Sequence, residues 1–339
     1  MKVCKVCQRI FANVDDFLHD TQRWRIGPND ALFFECSCQT TLVIPKGFYD
    51  WYSPARFLRQ EARQIFEKLG LADFMPTLPG RIASILSACN DMNVSTAELS
   101  NLVKAEPIVC SELLNIANDI TSRRGNKVRT VEHAILYLGR RSLANLLQVA
   151  ALRLHKFRTS SYTSDIFWRE ALTCGSIAEA MSRVLPSHLS PDEAYVAGCL
   201  CNVGKIVASI YFPDDTDRVW RLIRQDMVSW TIGESSEQAT DHAILGEIAA
   251  MLWVLPRFVM EAAANHHGVS KEIPSRRQQG NMMIALANQV THLVLEQESR
   301  LEHETCDRLF KALNKDGVLA PDFRSFARSF LSLADFHTA

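Results

Sequence analysis

Apolar residues recur at three- and four-residue intervals through most of the chain, and only its N-terminal stretch departs from that rhythm. Phe57, Leu58, Ala62, Ile65, Phe66 and Leu69 fall on one face of an amphipathic helix predicted over residues 55–69. Met75-Pro76-Thr77-Leu78-Pro79-Gly80 breaks that helix and opens another carrying Ile82, Ile85 and Leu86. Ser95-Thr96-Ala97-Glu98 is a capping box, whose Ser and Glu side chains satisfy free backbone donors, and its helix should end before Pro107. Short apolar helices follow over 108–120 and 131–138, and Gly139 leads into a longer one over 142–154. The C-terminal part repeats the pattern over 282–295, 301–313 and, after Pro321, 323–336.

The N-terminal stretch reads differently. Trp24-Arg25-Ile26 and Ala31-Leu32-Phe33-Phe34-Glu35 are strand-like, and Gly27-Pro28-Asn29-Asp30 between them has turn chemistry. Thr40-Thr41-Leu42-Val43-Ile44 adds a further β-rich run. The predicted fold is mainly α: an all-helical bundle preceded by a small β module. The expected boundaries are a β module at 1–50, a linker helix at 51–74 and a helical domain at 75–339.

Within the helical part, Ser190-Pro191-Asp192-Glu193 carries a cap residue, Pro at the first helical position and acids in the first turn. That start places Ala197, Leu200, Cys201 and Gly204 on one buried stripe, where small residues let neighbouring helices approach closely.

Composition narrows the function classes. With 47% hydrophobic and 22% charged residues, the chain of 339 residues can bury a large core. A formal net charge of -1 gives no general attraction to phosphate backbones or anionic lipid. The basic groups at Arg123-Arg124 with Lys127 and Arg129, at Arg140-Arg141 and at Arg276-Arg277 read as solvated loop and helix-end charge. Nucleic acid is therefore not the expected partner. No run reaches about 18 consecutive apolar residues and the N-terminus is too polar for a signal peptide, so a cytoplasmic protein away from the membrane is expected.

Of ten Cys, six are scattered through apolar helical patterns and read as reduced core residues. The other four, Cys4, Cys7, Cys36 and Cys38, form two close pairs flanking the β runs. Two thiolates separated by two residues can turn around one tetrahedral Zn, and a second pair completes a four-sulfur structural site. The stretch resembles a zinc ribbon, with Cys-x-Cys where the usual second pair is Cys-x-x-Cys. Four free thiols or two redox pairs are the alternatives, and His19 could replace one ligand.

The run Gly198-Cys199-Leu200-Cys201-Asn202-Val203-Gly204-Lys205 has the frame of a helical metallohydrolase motif. It is flanked in order by Leu78-Pro79, Glu106-Pro107, Leu113-Leu114-Asn115-Ile116-Ala117-Asn118, Val131-Glu132-His133-Ala134-Ile135 and Leu138-Gly139. Phe167-Trp168-Arg169-Glu170-Ala171-Leu172 precedes the run, and Asp241-His242-Ala243-Ile244-Leu245-Gly246, Trp253-Val254-Leu255-Pro256 and His266-His267-Gly268 follow it. This order resembles the HD phosphohydrolase superfamily, and more closely its HDOD branch, whose members commonly lose the metal ligands and act as signalling modules. In catalytic HD relatives a His-Asp dipeptide stands where this chain has Cys201-Asn202, and the first metal-binding His falls at Glu170. The resemblance thus implies an HD-like bundle lacking three ligand positions, with later histidines retained at His242, His266 and His267.

Taken residue by residue, Cys201 reads as a core thiol ahead of a nucleophile, and Asn202 as a cap or a bridge between helices. Asp241 beside His242 can orient a metal ligand or simply satisfy a buried ring. His266 and His267 precede Gly268 at a predicted helix end, where imidazolium favours the helix dipole. Glu170, Cys201, Asn202, His242, His266 and His267 are the expected lining of a degenerate HD pocket, which binds a small ligand or nucleotide.

The expected function is that of a non-catalytic bacterial signal-transduction scaffold that binds a protein partner or small ligand, with a homodimer among the options. Structural Zn is the expected cofactor of the β module, and none is expected in the helical domain. The alternatives are a remodelled metal-dependent phosphohydrolase and a zinc-ribbon nucleic-acid binder.

Overall fold

A computed structural model describes the protein over residues 2–3, 6, 10–11, 21–26, 32–36, 41–44, 62 and 65, and from 80 to 331 except 92, 123–127, 186, 227, 254, 268–275, 296–302 and 315–321. Strands β1 (Lys2–Val3) and β2 (Ile10–Phe11) pair antiparallel, and β3 (Thr21–Ile26), β4 (Leu32–Cys36) and β5 (Thr41–Ile44) form a meander in that order. Trp24 faces Phe34 and Phe34 faces Leu42 across the ladders, so the strand-like runs pair as neighbours. Cys36 closes β4, but its side chain and the whole of Cys4, Cys7, Cys38 and His19 lie outside the described residues. The zinc expectation therefore stays a proposal. Of the linker helix, only Ala62 and Ile65 are described, both helical.

The rest is helical: α1 (Gly80–Asn90), α2 (Thr96–Lys104), α3 (Pro107–Ser122), α4 (Val131–Leu152), α5 (Ser164–Ser182), α6 (Pro191–Leu200) and α7 (Gly204–Tyr211). Then come α8 (Pro213–Asp226), α9 (Trp230–Ser236), α10 (His242–Leu252), α11 (Arg257–Asn265), α12 (Arg276–Val294), α13 (His303–Leu313) and α14 (Phe323–Arg328). The capping boxes at Ser95/Glu98 and Ser190/Glu193 are both formed, and each starts a helix at the position the sequence marks. Gly139 has φ 82° and ψ 162°, which splits α4 into two helical stretches. Only a residue without Cβ takes that left-handed φ at no steric cost.

Two apolar clusters fill the interior, and α5 and α6 serve both. Phe167, Trp168 and Leu172 of α5 and Tyr195, Val196 and Leu200 of α6 belong to the larger, built mainly with α1–α4 and α7–α11. Ile177, Ala178 and Met181 of α5 and Ala194 and Ala197 of α6 belong to the smaller, closed by α12–α14. Ala197, Leu200, Cys201 and Gly204 are buried as expected, and so is every residue from Ala194 to Leu200, because the helix is covered on every side. The segment Pro191–Tyr211 is long and apolar enough by length and composition to cross a membrane, yet 94% of an 18-residue stretch of it is buried inside the fold, where its apolar surface is already covered. C-terminally, α14 stops at Arg328, short of the predicted end.

A set of hydrogen bonds ties α8 to the segment that precedes α5. Asp217 on α8 accepts from Ser160 N and Oγ, both at 2.7 Å, and from Ser161 N at 2.9 Å and Oγ at 2.5 Å. Desolvation pushes its carboxyl up, but the Ser161 and Ser160 donors outweigh that and hold it well below the ordinary range. A depressed native pKa gives stability that is present above the unfolded value of 3.8 and lost as pH falls below it. Asp217→Asn should therefore cost about 1 kcal/mol near neutrality, discounted for solvent screening, and should flatten the acid side of a urea-midpoint against pH curve.

Candidate functional site

His242 opens α10 with its ring wholly buried, and Asp241 caps the helix by accepting from Ala243 N at 2.7 Å. The carboxylate of Glu234, on α9, grips His242 twice. Its Oε1 accepts from the His242 backbone N at 3.2 Å, and the ring Nδ1 lies 2.8 Å from Oε1 and 2.9 Å from Oε2. That leaves Nε2 pointing at the end of α11, where it meets His266 Nε2 at 3.0 Å and His267 Nε2 at 2.9 Å. His266 is the C-cap of α11, is also fully buried, and places Nδ1 2.9 Å from the carbonyl oxygen of Ala263. His267 is only half-buried.

The backbone makes this convergence. At Gly204, the first residue of α7, an added Cβ would lie 1.8 Å from His242 O and 2.5 Å from Gly246 N. The two helices therefore touch through main chain, and α7 fixes the start of α10. From the same turn, Lys205 runs into the core at 1% exposure, with Nζ 4.4 Å from the centre of the Trp230 ring. Trp230 in turn meets the His242 ring edge to face, at 6.0 Å.

The electrostatics follow from burial. Desolvation, with Asp241 adding to it, pushes Glu234 up to about 8, while Lys205 and His267 pull the other way. One carboxyl oxygen of Glu234 accepts the His242 backbone N–H and both face Nδ1, so a single proton is shared between the carboxyl and the ring. His266 is held well below its ordinary value by burial first, then by His267, His242 and Lys205.

The expected pocket residues thus divide. The structure brings His242, His266 and His267 together, with ligand-capable nitrogens within 4.8 Å of one another. Cys201 and Asn202 engage other partners. Cys201 is fully buried, donates to Gly198 O at 3.2 Å and sits 4.0 Å from Cys174 Sγ on α5. Asn202 bridges helices as expected, donating from Nδ2 to Asn288 Oδ1 on α12 at 2.7 Å. Glu170 is buried on α5 at 7% exposure. Of the six, Glu170, Cys201, Asn202, His242 and His266 are buried, and His267 is partly exposed. A small cleft lined by Phe212, Thr216, Trp230, Thr240 and Leu245 reaches Glu234 from another side.

The helix-dipole reading of the two histidines gives way to this ring cluster. Sequence reasoning assigned nothing to Glu234 or Lys205. Their one sequence signal is a charge set within an otherwise apolar or uncharged helical run, Trp230-Thr231-Ile232-Gly233-Glu234 and Gly204-Lys205-Ile206-Val207.

Comparison with known proteins agrees with this architecture. A model of the HDOD domain matches residues 75–269. A crystal structure of an HDOD domain protein of unknown function from Geobacter sulfurreducens is similar at TM-score 0.60 and 20% identity, over 82% of this chain and 95% of that one. A provisionally named signal transduction protein from Marinobacter aquaeolei is similar at TM-score 0.57 and 16% identity, over 91% of this chain and 76% of that one. Among curated proteins, an uncharacterized protein of Treponema pallidum is 21% identical over 198 residues, which span 58% of this chain and 38% of that protein's length. The chain belongs to the HDOD domain family, and the matched residues include every helix that builds the histidine cluster.

Proposed function

We propose that the chain is a non-catalytic regulatory module of a bacterial signalling pathway, working through a protein partner or a small ligand. The observation that carries this reading is the fate of positions 201 and 202. Where a catalytic HD centre needs two metal ligands facing a water-filled site, Cys201 packs on Cys174 and Asn202 is spent on Asn288. Both are interior contacts between helices, so this part of the frame serves packing. The N-terminal module at 1–50 is proposed to hold Zn through Cys4, Cys7, Cys36 and Cys38 and to act as a docking or dimerising element.

The test is turnover of phosphodiesters and phosphomonoesters by the full chain, metal-stripped and then resupplied with Mn²⁺, Fe²⁺ or Zn²⁺. No turnover above the metal-containing buffer is expected. Turnover that His242→Ala removes would overturn the reading. It would favour the second one, a remodelled phosphohydrolase, for which the convergence of three imidazoles on one point is the specific support.

A further inference from the structure

We infer that Cys174 and Cys201 form a redox-sensitive lock, in which hydrogen peroxide joins their sulfurs and draws the α6–α7 joint towards α5. The chemistry is separate from the histidine cluster, and it holds whether the chain is a regulator or a phosphohydrolase.

Position is the first argument. The two sulfurs lie 4.0 Å apart in the interior, with Cys174 at 1% and Cys201 at 0% exposure. A disulfide holds them about 2.05 Å apart, so they must close by about 2 Å. The main chains beside them are already in contact, since a Cβ added at Gly198 would lie 2.8 Å from Cys174 O and 2.9 Å from Gly175 Cα. Rotation of two side chains with a small shift at one of them spans the rest.

The joint supplies that shift. Cys174 sits in the middle of α5, but Cys201 is the C-cap of α6. Residues 201–203 form a turn, and α7 begins without a side-chain cap at Val203. The Cys201 thiol donates to Gly198 O at 3.2 Å and accepts from Asn202 Nδ2 at 3.4 Å, and sulfur is weak in both roles. Little holds it where it is.

At rest the pair is unreactive. The hydrogen bond to Cys201, and then burial, hold the Cys174 thiol well above its ordinary range, so reaction waits on opening of the turn. Cys201 Sγ then attacks the peroxide, keeps one oxygen as a sulfenic acid, and the other oxygen leaves with the thiol proton as water. As the turn closes, Cys174 Sγ displaces the hydroxyl, which takes the Cys174 proton as a second water. Two S–H bonds and the O–O bond break, one S–S bond forms, and the peroxide gains the two electrons that the thiols lose.

The output lies at α12. Asn202 Nδ2 serves both Cys201 Sγ and Asn288 Oδ1, the latter at 2.7 Å, and Asn202 Oδ1 has no partner among the described residues. Drawing Cys201 towards α5 therefore pulls Asn202 off its one strong contact and loosens α12.

The full chain, reduced, freed of reductant and treated with hydrogen peroxide, tests this by tryptic mapping without reduction. Peptides 170–183 and 184–205 should appear joined and lighter by two hydrogens, and dithiothreitol should separate them. The second peptide also carries Cys199, so Cys199→Ala should keep the link while Cys174→Ala and Cys201→Ala each lose it. Fragmentation of the joined wild-type peptides assigns the sulfur even where a variant fails to fold. Amide exchange in α12 should quicken in the linked protein and slow again on reduction. A link that forms only after unfolding in urea, or one that runs through Cys199, would overturn the lock. Exchange in α12 that is the same in linked and reduced protein would overturn it as a device.

Discussion

Gly204→Ala is expected to abolish the folded protein or lower its stability by more than about 3 kcal/mol, beyond most overpacking changes. The new Cβ would sit 1.8 Å from His242 O, 2.5 Å from Gly246 N and 2.8 Å from His242 C. All three are main-chain atoms, so no rotamer change makes room, and α7 must separate from α10. Because His242 is the first residue of α10, that separation also pulls its ring away from Glu234 and the two histidines. Gly246→Ala is the control on the same crossing, since its Cβ would meet Ala263 Cβ and Gly204 N at 3.2 Å, and a cost nearer about 1 kcal/mol is expected. Gly139→Ala separates sterics from backbone strain: nothing lies within 4 Å of its Cβ, but φ is +82°. There the cost should be about 1–3 kcal/mol, because φ 82° with ψ 162° is a backbone region essentially confined to glycine. Thermal and urea unfolding should show Gly204→Ala as far the most damaging of the three. A Gly204→Ala protein as stable as wild type would mean that α7 and α10 are not in main-chain contact.

The contrast between these glycines shows which parts of the fold a sequence exposes. Helix starts were legible where a side chain itself does the capping, as at Ser95, Thr96 and Glu98 or Ser190, Pro191 and Glu193, because the signal is local. Gly139 was legible for the same reason. On α6 the stripe of Ala197, Leu200 and Cys201 was legible but the burial of the other faces was not, since periodicity assumes one buried face and α6 has two cores around it. At the site, the histidines were visible as residues retained within a family frame, but their convergence depends on how α9, α10 and the end of α11 meet. Glu234 had no local signal because its role rests on contact with His242, eight positions away and on another helix. Residue chemistry offered a core thiol for Cys201 and a cap or a bridge for Asn202, while the partners Cys174 and Asn288 are fixed only by packing.

That packing decides what happens when the missing dipeptide is put back. The double change Cys201→His with Asn202→Asp should destabilise the protein by about 3–5 kcal/mol and should not produce phosphoester turnover. At position 201 an imidazole must enter a fully buried space whose thiol lies 4.0 Å from Cys174 Sγ, close to where α5 and α6 meet through Gly175 and Gly198. There a Cβ on Gly198 would lie 2.9 Å from Gly175 Cα, so the helices have no slack to yield. At position 202, Asp removes the donor that binds Asn288 Oδ1 at 2.7 Å and brings a carboxylate to a site 9% exposed. Asn288 can turn its amide to donate instead, so Asn202→Asp alone should cost less, about 1–2 kcal/mol, and retain the fold. Unfolding curves of the two single variants and the double, with turnover measured on each in the presence of Mn²⁺, give the comparison. A double variant that is both stable and active would show positions 201 and 202 facing an open, metal-ready site, and the regulatory reading would fall with it. If the frame of the catalytic motif has been closed into a core, the double variant is unstable and silent, beside a folded and equally silent Asn202→Asp.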